Sequence, residues 1–297
     1  MSDPPPFSFV TATYQCAAYL RRCHWSLTRQ SVTDWEWVVV DDGSTDGTEE
    51  LIASLGDARI RYHRFAENRG RGLASDFALQ QARGKWTAVM DADDLSFPDR
   101  LARAEEARAQ GYDFLCSALV LIDQDCRITG VRGCAADGYP RVFPHATLCG
   151  DTELLRRIGY PAYRRAQDQT MVLTLANTRR GFFCEQPLYI YHENAGIRPG
   201  GAFASHYYAL KQTRALARRG VLTRGAALGR AQAGRWAKLA GLLPFFLWPP
   251  AYQWTLRRRA NLENGASLLT ADARTFVAEC AQRFPRRALA AMAPNES

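Results

Sequence analysis

The chain has 297 residues, enough to bury a large core in one domain, with or without an appended region. Its eight cysteines are scattered, without a C-x-x-C pair, which argues against a cysteine-based metal site and favours reduced thiols. The opening residues, MSDPPPFSFV, lack the basic and apolar regions of a signal peptide. We therefore expect a cytoplasmic protein.

Positive charge is concentrated in the C-terminal third. The formal net charge is +8, and residues 201–297 contain 15 of the 38 Lys and Arg residues but only 4 of the 30 Asp and Glu residues. No recognised nucleic-acid-binding module accompanies this charge, so nucleic acid is not expected as a partner. The contrast divides the chain into residues 1–200 and a basic, mainly helical region over residues 201–297.

Strand-like and helix-like patterns alternate along the first part of the chain. Strands are predicted over 7–12, 35–41, 59–64, 85–91 and 112–122, and helices over 17–30, 46–56, 72–84, 151–159 and 166–176. From about residue 203 the sequence indicates helices rich in Ala and Arg. The alternation predicts an α/β fold, with a mostly parallel sheet and helices on both faces.

Acidic residues follow two of the predicted strands. Asp41 and Asp42 close the second strand, and the segment DADD at residues 91–94 follows the fourth. Parallel sheets bind ligands at the carboxyl ends of their strands, so both groups are expected along one rim. Carboxylates two residues apart can hold a divalent cation that also binds phosphate oxygens. Alternatively, Asp94 or Ser96 caps the helix that follows, near residue 100.

The turn after the second strand also has two interpretations. A carboxylate there can accept hydrogen bonds from a nucleobase N–H group or a ribose hydroxyl. Alternatively, the segment DDGSTDGT at residues 41–48 is a strand-to-helix turn in which Gly43 supplies backbone freedom. In that case Ser44 or Asp46 caps the next helix.

The order and spacing of four sequence segments indicate a function more specifically than either acidic group does alone. The segments TATYQCAAYL (11–20), VVVDDGSTDGT (38–48), ENRGRGLAS (67–75) and VMDADDLSFPDRL (89–101) resemble the family-two glycosyltransferases, inverting enzymes with the GT-A fold. The resemblance continues through residues 143–176 and covers roughly residues 7 to 192. It implies that residues 1–200 form a nucleotide-sugar-binding catalytic domain.

The resemblance also implies roles for individual residues. The implied donor-binding residues are Ala12, Thr13, Tyr14, Asp42, Asp91 and Ala92, with a UDP-sugar as the expected donor. Asp93 matches the last acid of the family's D-x-D motif and would bind Mn²⁺ or Mg²⁺. Asp168 falls where the family has its catalytic base, and His145 where it often has an acceptor-side histidine. A lone histidine such as His145 can equally be a packed structural residue.

Two positions depart from the family pattern. The common A-R-N-x-G segment is ASDFA here (residues 74–78), and the usual Glu before the base is Gln167. The first change leaves the donor's base and sugar open, and the second changes the surroundings of Asp168. Neither change removes a residue that the transfer reaction requires. The reaction needs a cation to stabilise the leaving diphosphate, for which Asp93 remains, and a carboxylate to take the proton of the attacking hydroxyl, for which Asp168 remains.

The segment 239–259, which follows Lys238 and reads LAGLLPFFLWPPAYQWTLRRR, combines apolar, aromatic and basic residues. Three prolines, Pro244, Pro249 and Pro250, disfavour a straight transmembrane helix. Aromatic residues beside Arg257, Arg258 and Arg259 suit an anionic membrane surface. Packing of this segment on the catalytic domain is the alternative.

The sequence therefore predicts a metal-dependent, inverting glycosyltransferase of the hexosyltransferase type. The expected acceptor is a glycan or a lipid-linked glycan in bacterial surface polysaccharide or glycolipid synthesis, which would place the enzyme at the cytoplasmic face of the inner membrane. A sugar nucleotidyltransferase is the first alternative, although the loop after the first strand lacks the glycines expected for it. A catalytically inactive, nucleotide-sugar-binding scaffold is the second.

Overall fold

The computed structural model describes residues 4–134, 141–162, 166–193, 199–223, 225–247 and 269–285. The strands are β1 (Phe7–Thr13), β2 (Trp35–Asp41), β3 (Ile60–Arg64), β4 (Trp86–Val89), β5 (Leu95–Ser96), β6 (Phe114–Ile122), β7 (Ile128–Arg132), β8 (Cys149–Asp151) and β9 (Gly181–His192). The helices are α1 (Ala17–Leu27), α2 (Thr48–Ser54), α3 (Arg71–Gln81), α4 (Arg100–Ala109), α5 (Thr152–Ile158), α6 (Gln169–Thr178), α7 (Pro199–Arg218), α8 (Ala226–Leu247) and α9 (Ala271–Arg283), with a 3₁₀ turn at His145–Thr147.

The nine strands of the described residues join one sheet, in the order β3-β2-β1-β4-β8-β6-β9-β5, and β7 pairs with β6. Strands β1 to β4 pair in parallel. The second half of the sheet mixes directions, because β8 runs antiparallel to β4 and β6 while β9 runs parallel to β6. The predicted α/β fold with a helical C-terminal region is confirmed.

Helices cover both faces of the sheet, which explains its apolar strands. Every residue of β2 is buried, including Trp37 and Val38. Trp37 packs in the cluster that contains Leu20 of α1, whereas Val38 packs in the cluster that contains Ala78 of α3. A strand covered on both faces reads as a continuous apolar run, so α1 and α3 lie on opposite sides of β2.

The C-terminal helices pack on the rest of the chain. Phe276 of α9 stacks on Trp25 of α1, with ring centroids 5.0 Å apart, and Leu216 of α7 shares an apolar cluster with Leu173 of α6. Within the described residues, no helix is long and apolar enough to cross a bilayer. Of the predicted membrane-docking segment, residues 239–247 form the end of α8, and residues 248–259 lie outside the described residues.

Arg100, at the start of α4, joins the sheet to the 3₁₀ turn. Its side chain is fully buried, and Nη2 donates to the carbonyl oxygens of Val89 (2.8 Å), Ala146 (3.0 Å) and Leu148 (3.2 Å). These three bonds offset part of the cost of burying the charge, while Nε of Arg100 has no hydrogen-bond partner among the described residues. Arg100 therefore fixes the end of β4, after which the DADD segment begins, relative to the turn that carries His145.

Replacing Arg100 by Met should lower the free energy of unfolding by at least about 3 kcal/mol, because hydrogen bonds from a charged donor to three buried carbonyls are lost. Arg103→Met is the matched control on the same helix, since Arg103 pairs with Glu106 at the surface and should cost less than about 1 kcal/mol. Urea denaturation measures both. Equal stabilities of the two variants would contradict the anchoring role of Arg100.

Candidate active site

The carboxyl ends of β1, β2 and β4 form one rim, since β1 lies between the other two and all three run in parallel. Thr13 ends β1, Asp41 ends β2, and Asp91 follows β4 by two residues. The two acidic groups quoted from the sequence therefore meet at the same edge of the sheet, as expected. Ala12 and Thr13 lie on β1 in this edge, and the side chain of Tyr14 is 47% exposed just beyond it.

The loops after β1 and β2 are tied to each other. Gln15, at φ 53°, donates through Nε2 to Thr45 Oγ1 at 3.1 Å and accepts at Oε1 from the backbone N–H of Thr45 at 2.9 Å. The backbone N–H of Gln15 donates to Ser44 Oγ at 2.9 Å, and that of Ala17 donates to Asp46 Oδ2 at 2.8 Å. The expectation that Ser44 or Asp46 caps α2 is wrong, because the N-cap of α2 is Gly47 and receives no side-chain cap.

Asp42 holds the loop that leads into α3. Its carboxylate is buried and accepts from the backbone N–H groups of Arg69 (2.7 Å) and Gly70 (2.8 Å). The neighbouring Gly43 makes this approach possible: its φ is +81°, and a Cβ there would lie 2.8 Å from the carbonyl carbon of Glu67. Asp42 thus has a positioning role that the sequence did not indicate. Each carboxylate oxygen retains a second lone pair that can accept from a ligand.

Asp91 forms an ion pair with Arg71, whose Nη2 donates to Asp91 Oδ1. Burial alone would raise the pKa of Asp91, but the guanidinium of Arg71 outweighs it and lowers that pKa below its ordinary value. The side chain of Arg71 is 54% exposed, so this cation can also be reached by a ligand. The backbone N–H of Asp91 donates to the hydroxyl of Tyr189 at 3.1 Å.

Asp93 and Asp94 differ in their surroundings. Asp94 is buried, accepts from the hydroxyl of Tyr189 at 2.8 Å and accepts from the backbone N–H of His192 at 2.7 Å. Asp93 is partly exposed at the rim, and burial together with the charge of Asp91 raises its pKa. Asp94 therefore serves the fold, while Asp93 keeps part of its surface exposed.

The alternative assignment of this segment as a helix cap is wrong. Helix α4 begins at Arg100 with Asp99 at its N-cap, and no side chain caps it. Asp94 and Ser96 instead make their hydrogen bonds inside the sheet region, where Ser96 donates through its backbone N–H to Ser26 Oγ at 3.0 Å. The acidic segment is therefore not explained by the start of α4.

His145 lines a pocket together with Ala12 of β1. A pocket at the rim is lined by Ala12, Arg71, Ser75, Asp91, His145, Tyr160 and Gln167, among others. Nε2 of His145 lies 2.8 Å from the hydroxyl of Tyr160, and the two rings pack edge to face at 5.5 Å. Burial lowers the pKa of His145, so the imidazole is neutral at pH 7.

Asp168 lies at the N-cap of α6, yet its side chain makes no capping hydrogen bond. Its charge acts on Arg71, His145 and Tyr160, which line the same pocket. Gln167, the residue that replaces the family's Glu, is buried and lines the pocket directly. The structure thus brings Asp168 near the pocket, with a carboxylate that the helix terminus does not use.

The sequence profile described as "Glycosyl transferase family 2" matches residues 8–173, which include the rim and the start of α6. The chain belongs to glycosyl transferase family 2. Among curated relatives, it is 40% identical over 124 residues to the succinoglycan biosynthesis protein ExoO of Rhizobium meliloti, a match that covers 41% of this chain and 36% of ExoO. The chain therefore matches about a third of the length of that relative.

Solved structures show the same fold at low identity. TarS from S. aureus in complex with UDP-GlcNAc superposes with a TM-score of 0.56 and 20% identity, covering 96% of this chain and 90% of TarS. The mannosyltransferase PcManGT from Pyrobaculum calidifontis, in complex with GDP-Man and Mn²⁺, gives a TM-score of 0.54 at 19% identity, covering 98% and 87% of the two chains. At these identities the likeness shows the fold.

Sequence reasoning missed several residues of the site in this family 2 chain. Arg71 stands inside the quoted segment ENRGRGLAS, one helical turn before Ser75, and both residues line the pocket. This i, i+4 spacing places them on one face of α3 and could have indicated Arg71 as a site residue. Tyr160 and Tyr189 have no such signal, because each is brought to the site by a distant element.

Replacing Asp42 by Ala should lower the free energy of unfolding by about 1–3 kcal/mol, because two backbone N–H groups lose their buried acceptor. Asp99→Ala is the matched control, since Asp99 is exposed and caps nothing through its side chain. Chemical denaturation compares the two variants. If Asp42→Ala is as stable as Asp99→Ala, Asp42 does not anchor the loop at residues 69–70.

Proposed function

We propose that the chain is a metal-dependent, inverting glycosyltransferase that moves a sugar from a nucleotide-sugar to an acceptor hydroxyl. One observation carries the proposal within the family: the predicted donor residues Ala12 on β1 and Asp91 after β4 line one pocket together with Gln167, the neighbour of the candidate base Asp168. Donor and base must approach the same anomeric carbon, so their convergence is what the reaction requires.

The donor is proposed to be a UDP-sugar. The neighbours of the same fold were solved with UDP-GlcNAc and with GDP-Man, and both are nucleotide-sugars. In this chain the exposed Tyr14 follows the buried Thr13, whose backbone carbonyl accepts from the backbone N–H of Asp42 at 2.9 Å. An aromatic face and a carboxylate acceptor suit a pyrimidine ring and a ribose hydroxyl. Ala92, buried between Asp91 and Asp93, is proposed to line the phosphate side.

The residues present fit Mn²⁺ or Mg²⁺ bound together with a diphosphate. No group of three His, Cys, Asp or Glu side chains able to hold a metal occurs in the part of the chain that the structure describes. Mg²⁺ is commonly held by one or two carboxylates plus substrate phosphates, and Asp93 supplies such a carboxylate at the rim. The cation would stabilise the negative charge that grows on the leaving diphosphate.

The guanidinium of Arg71 adds positive charge on the proposed diphosphate side of the site. Arg71 is exposed beside Asp91, and its guanidinium feels the charges of Asp91, Asp93 and Asp168. Guanidinium groups bind phosphate oxygens through charge-assisted hydrogen bonds. We assign Arg71 to the diphosphate side of the donor, where it offsets negative charge while its bond to Asp91 keeps it in place.

Asp168 is the proposed general base. Its carboxylate would take the proton from the attacking acceptor hydroxyl, a contribution of roughly 10²–10⁴-fold. Because one base acts on one displacement, the anomeric configuration inverts. His145 is assigned to the acceptor side, where its neutral imidazole already accepts from or donates to Tyr160.

The acceptor is proposed to be a glycan or a lipid-linked glycan in bacterial surface polysaccharide or glycolipid synthesis. The relative ExoO is named for succinoglycan biosynthesis, and the basic region from residue 201 suits an anionic surface. A peripheral position at the cytoplasmic face of the inner membrane follows from this acceptor. We place the contact in residues 239–259.

Removing the carboxylate of Asp93 should abolish metal-dependent nucleotide binding. Titration calorimetry of UDP with Mn²⁺ and with EDTA should show a metal-dependent affinity in the unaltered chain and equal, weak binding in both conditions for Asp93→Ala, because the phosphates lose their link to the protein-held cation. Asp272→Ala, an exposed acid on α9, is the control. Retention of Mn²⁺-dependent affinity in Asp93→Ala would remove the metal assignment.

Asp168→Asn should leave UDP affinity unchanged and lower turnover by at least about tenfold, because the amide keeps the shape of the carboxylate but takes no proton at neutral pH. Release of UDP from the UDP-sugar that binds best, with a membrane glycolipid extract as acceptor, measures turnover. Glu153→Gln on α5, an exposed acid, is the control. A smaller loss would assign the base to another residue, and no turnover in the unaltered chain with any UDP-sugar would favour a scaffold.

A further inference from the structure

The turn that carries Asp168 is held from outside by helix α7. Gln212 of α7 is buried, with 2% of its surface exposed. Its Nε2 donates to the carbonyl oxygen of Ala166 at 2.6 Å, and its Oε1 accepts from Thr170 Oγ1 at 2.9 Å. The side-chain amide of Gln212 therefore bonds to the residue two positions before Asp168 and to the residue two positions after it.

The first contact acts where the backbone is strained. Ala166 has φ +55°, in the left-handed region that costs a residue with a Cβ roughly 1–2 kcal/mol. Such a conformation persists only when the surroundings determine it. The hydrogen bond from Gln212 helps to hold Ala166 in this conformation. The left-handed residue turns the chain so that α6 begins at Gln169.

The direction of Asp168 depends on this turn, because its side chain makes no capping hydrogen bond to hold it. The turn is also fixed by Arg235 of α8, whose Nη2 donates to Gln169 Oε1 at 3.2 Å. Behind it, Leu173 of α6 packs against Leu216, Ala217, Leu222 and Leu228. Each of these supports comes from beyond residue 173, where the family profile ends.

We propose that Gln212 is a positioning residue for the catalytic base, through which the C-terminal helical region sets the activity of the family 2 domain. This inference rests on the proposed role of Asp168. Displacements of about 1 Å in a reacting group can cost about 10²-fold in rate. Loss of both bonds from Gln212 therefore lowers turnover while the donor site at β1, β2 and β4, which Gln212 does not touch, keeps its affinity.

The first test replaces Gln212 by Met, which has a similar length but neither forms the bond to Ala166 nor accepts strongly from Thr170. Turnover, measured as UDP release, should fall about 10- to 100-fold, with the donor KM and the UDP affinity within about twofold of the unaltered chain. Thr213→Val is the matched control: Thr213 is the next residue of α7 and is equally buried, and its Oγ1 donates to the carbonyl oxygen of Ala209 in the same helix. Unchanged turnover in Gln212→Met, or an equal loss in Thr213→Val, overturns the proposal.

A double-variant cycle separates positioning from folding. Once Asp168→Asn has removed the base, adding Gln212→Met should lower the residual turnover by less than about twofold, because there is no base left to place. If the two losses multiply, Gln212 acts by another route and the proposal fails. If Asp168→Asn alone retains turnover, the base assignment of the proposed function fails instead, and the proposal fails with it.

Thr170 gives a second pair of variants should Gln212→Met fail to fold. Thr170→Ser keeps the hydroxyl that donates to Gln212, whereas Thr170→Val keeps the shape and loses it. Thr170→Ser should retain turnover within about twofold and Thr170→Val should lose several-fold, with both keeping UDP affinity. Equal turnover in Thr170→Ser and Thr170→Val overturns the proposal.

Discussion

Three carboxylates within four residues, at the end of a buried strand, set the main electrostatic constraint on this structure. Asp91, Asp93 and Asp94 repel one another, and burial penalises each charge. Arg71 pairs with Asp91, and Asp94 accepts from Tyr189 and from the backbone N–H of His192. Asp93 is partly exposed, and we propose that it binds a cation together with a diphosphate.

Meeting this constraint draws distant parts of the chain together. Arg71 reaches the rim because Asp42 holds residues 69–70 just before α3. Tyr189 and His192 reach it because β9 pairs with β6 and β5. Arg100 fixes the end of β4, which precedes the carboxylates. The proposed donor side is thus built from the sheet itself, whereas the candidate base comes from a turn that α7 and α8 hold.

The alternation of strands and helices was enough to predict the α/β fold, and the rule for parallel sheets was enough to place Asp42 and Asp91 on one rim. The sequence could not show which carboxylates the fold itself uses, because the partners of Asp94 lie about a hundred residues away. Helix α6 begins three residues later than its apolar pattern indicates, because Ala166 is left-handed. No periodicity reveals such a residue when it is not glycine.

A crystal structure with UDP and Mn²⁺ tests the central claim most directly, because anomalous scattering locates the metal independently of the nucleotide. We expect a manganese peak within coordinating distance of an Asp93 carboxylate oxygen, about 2 Å, with the same ion bound to the diphosphate. The uracil should lie beside Tyr14 and Asp42. Manganese bound away from Asp93, or UDP bound away from the rim of β1, β2 and β4, would contradict it.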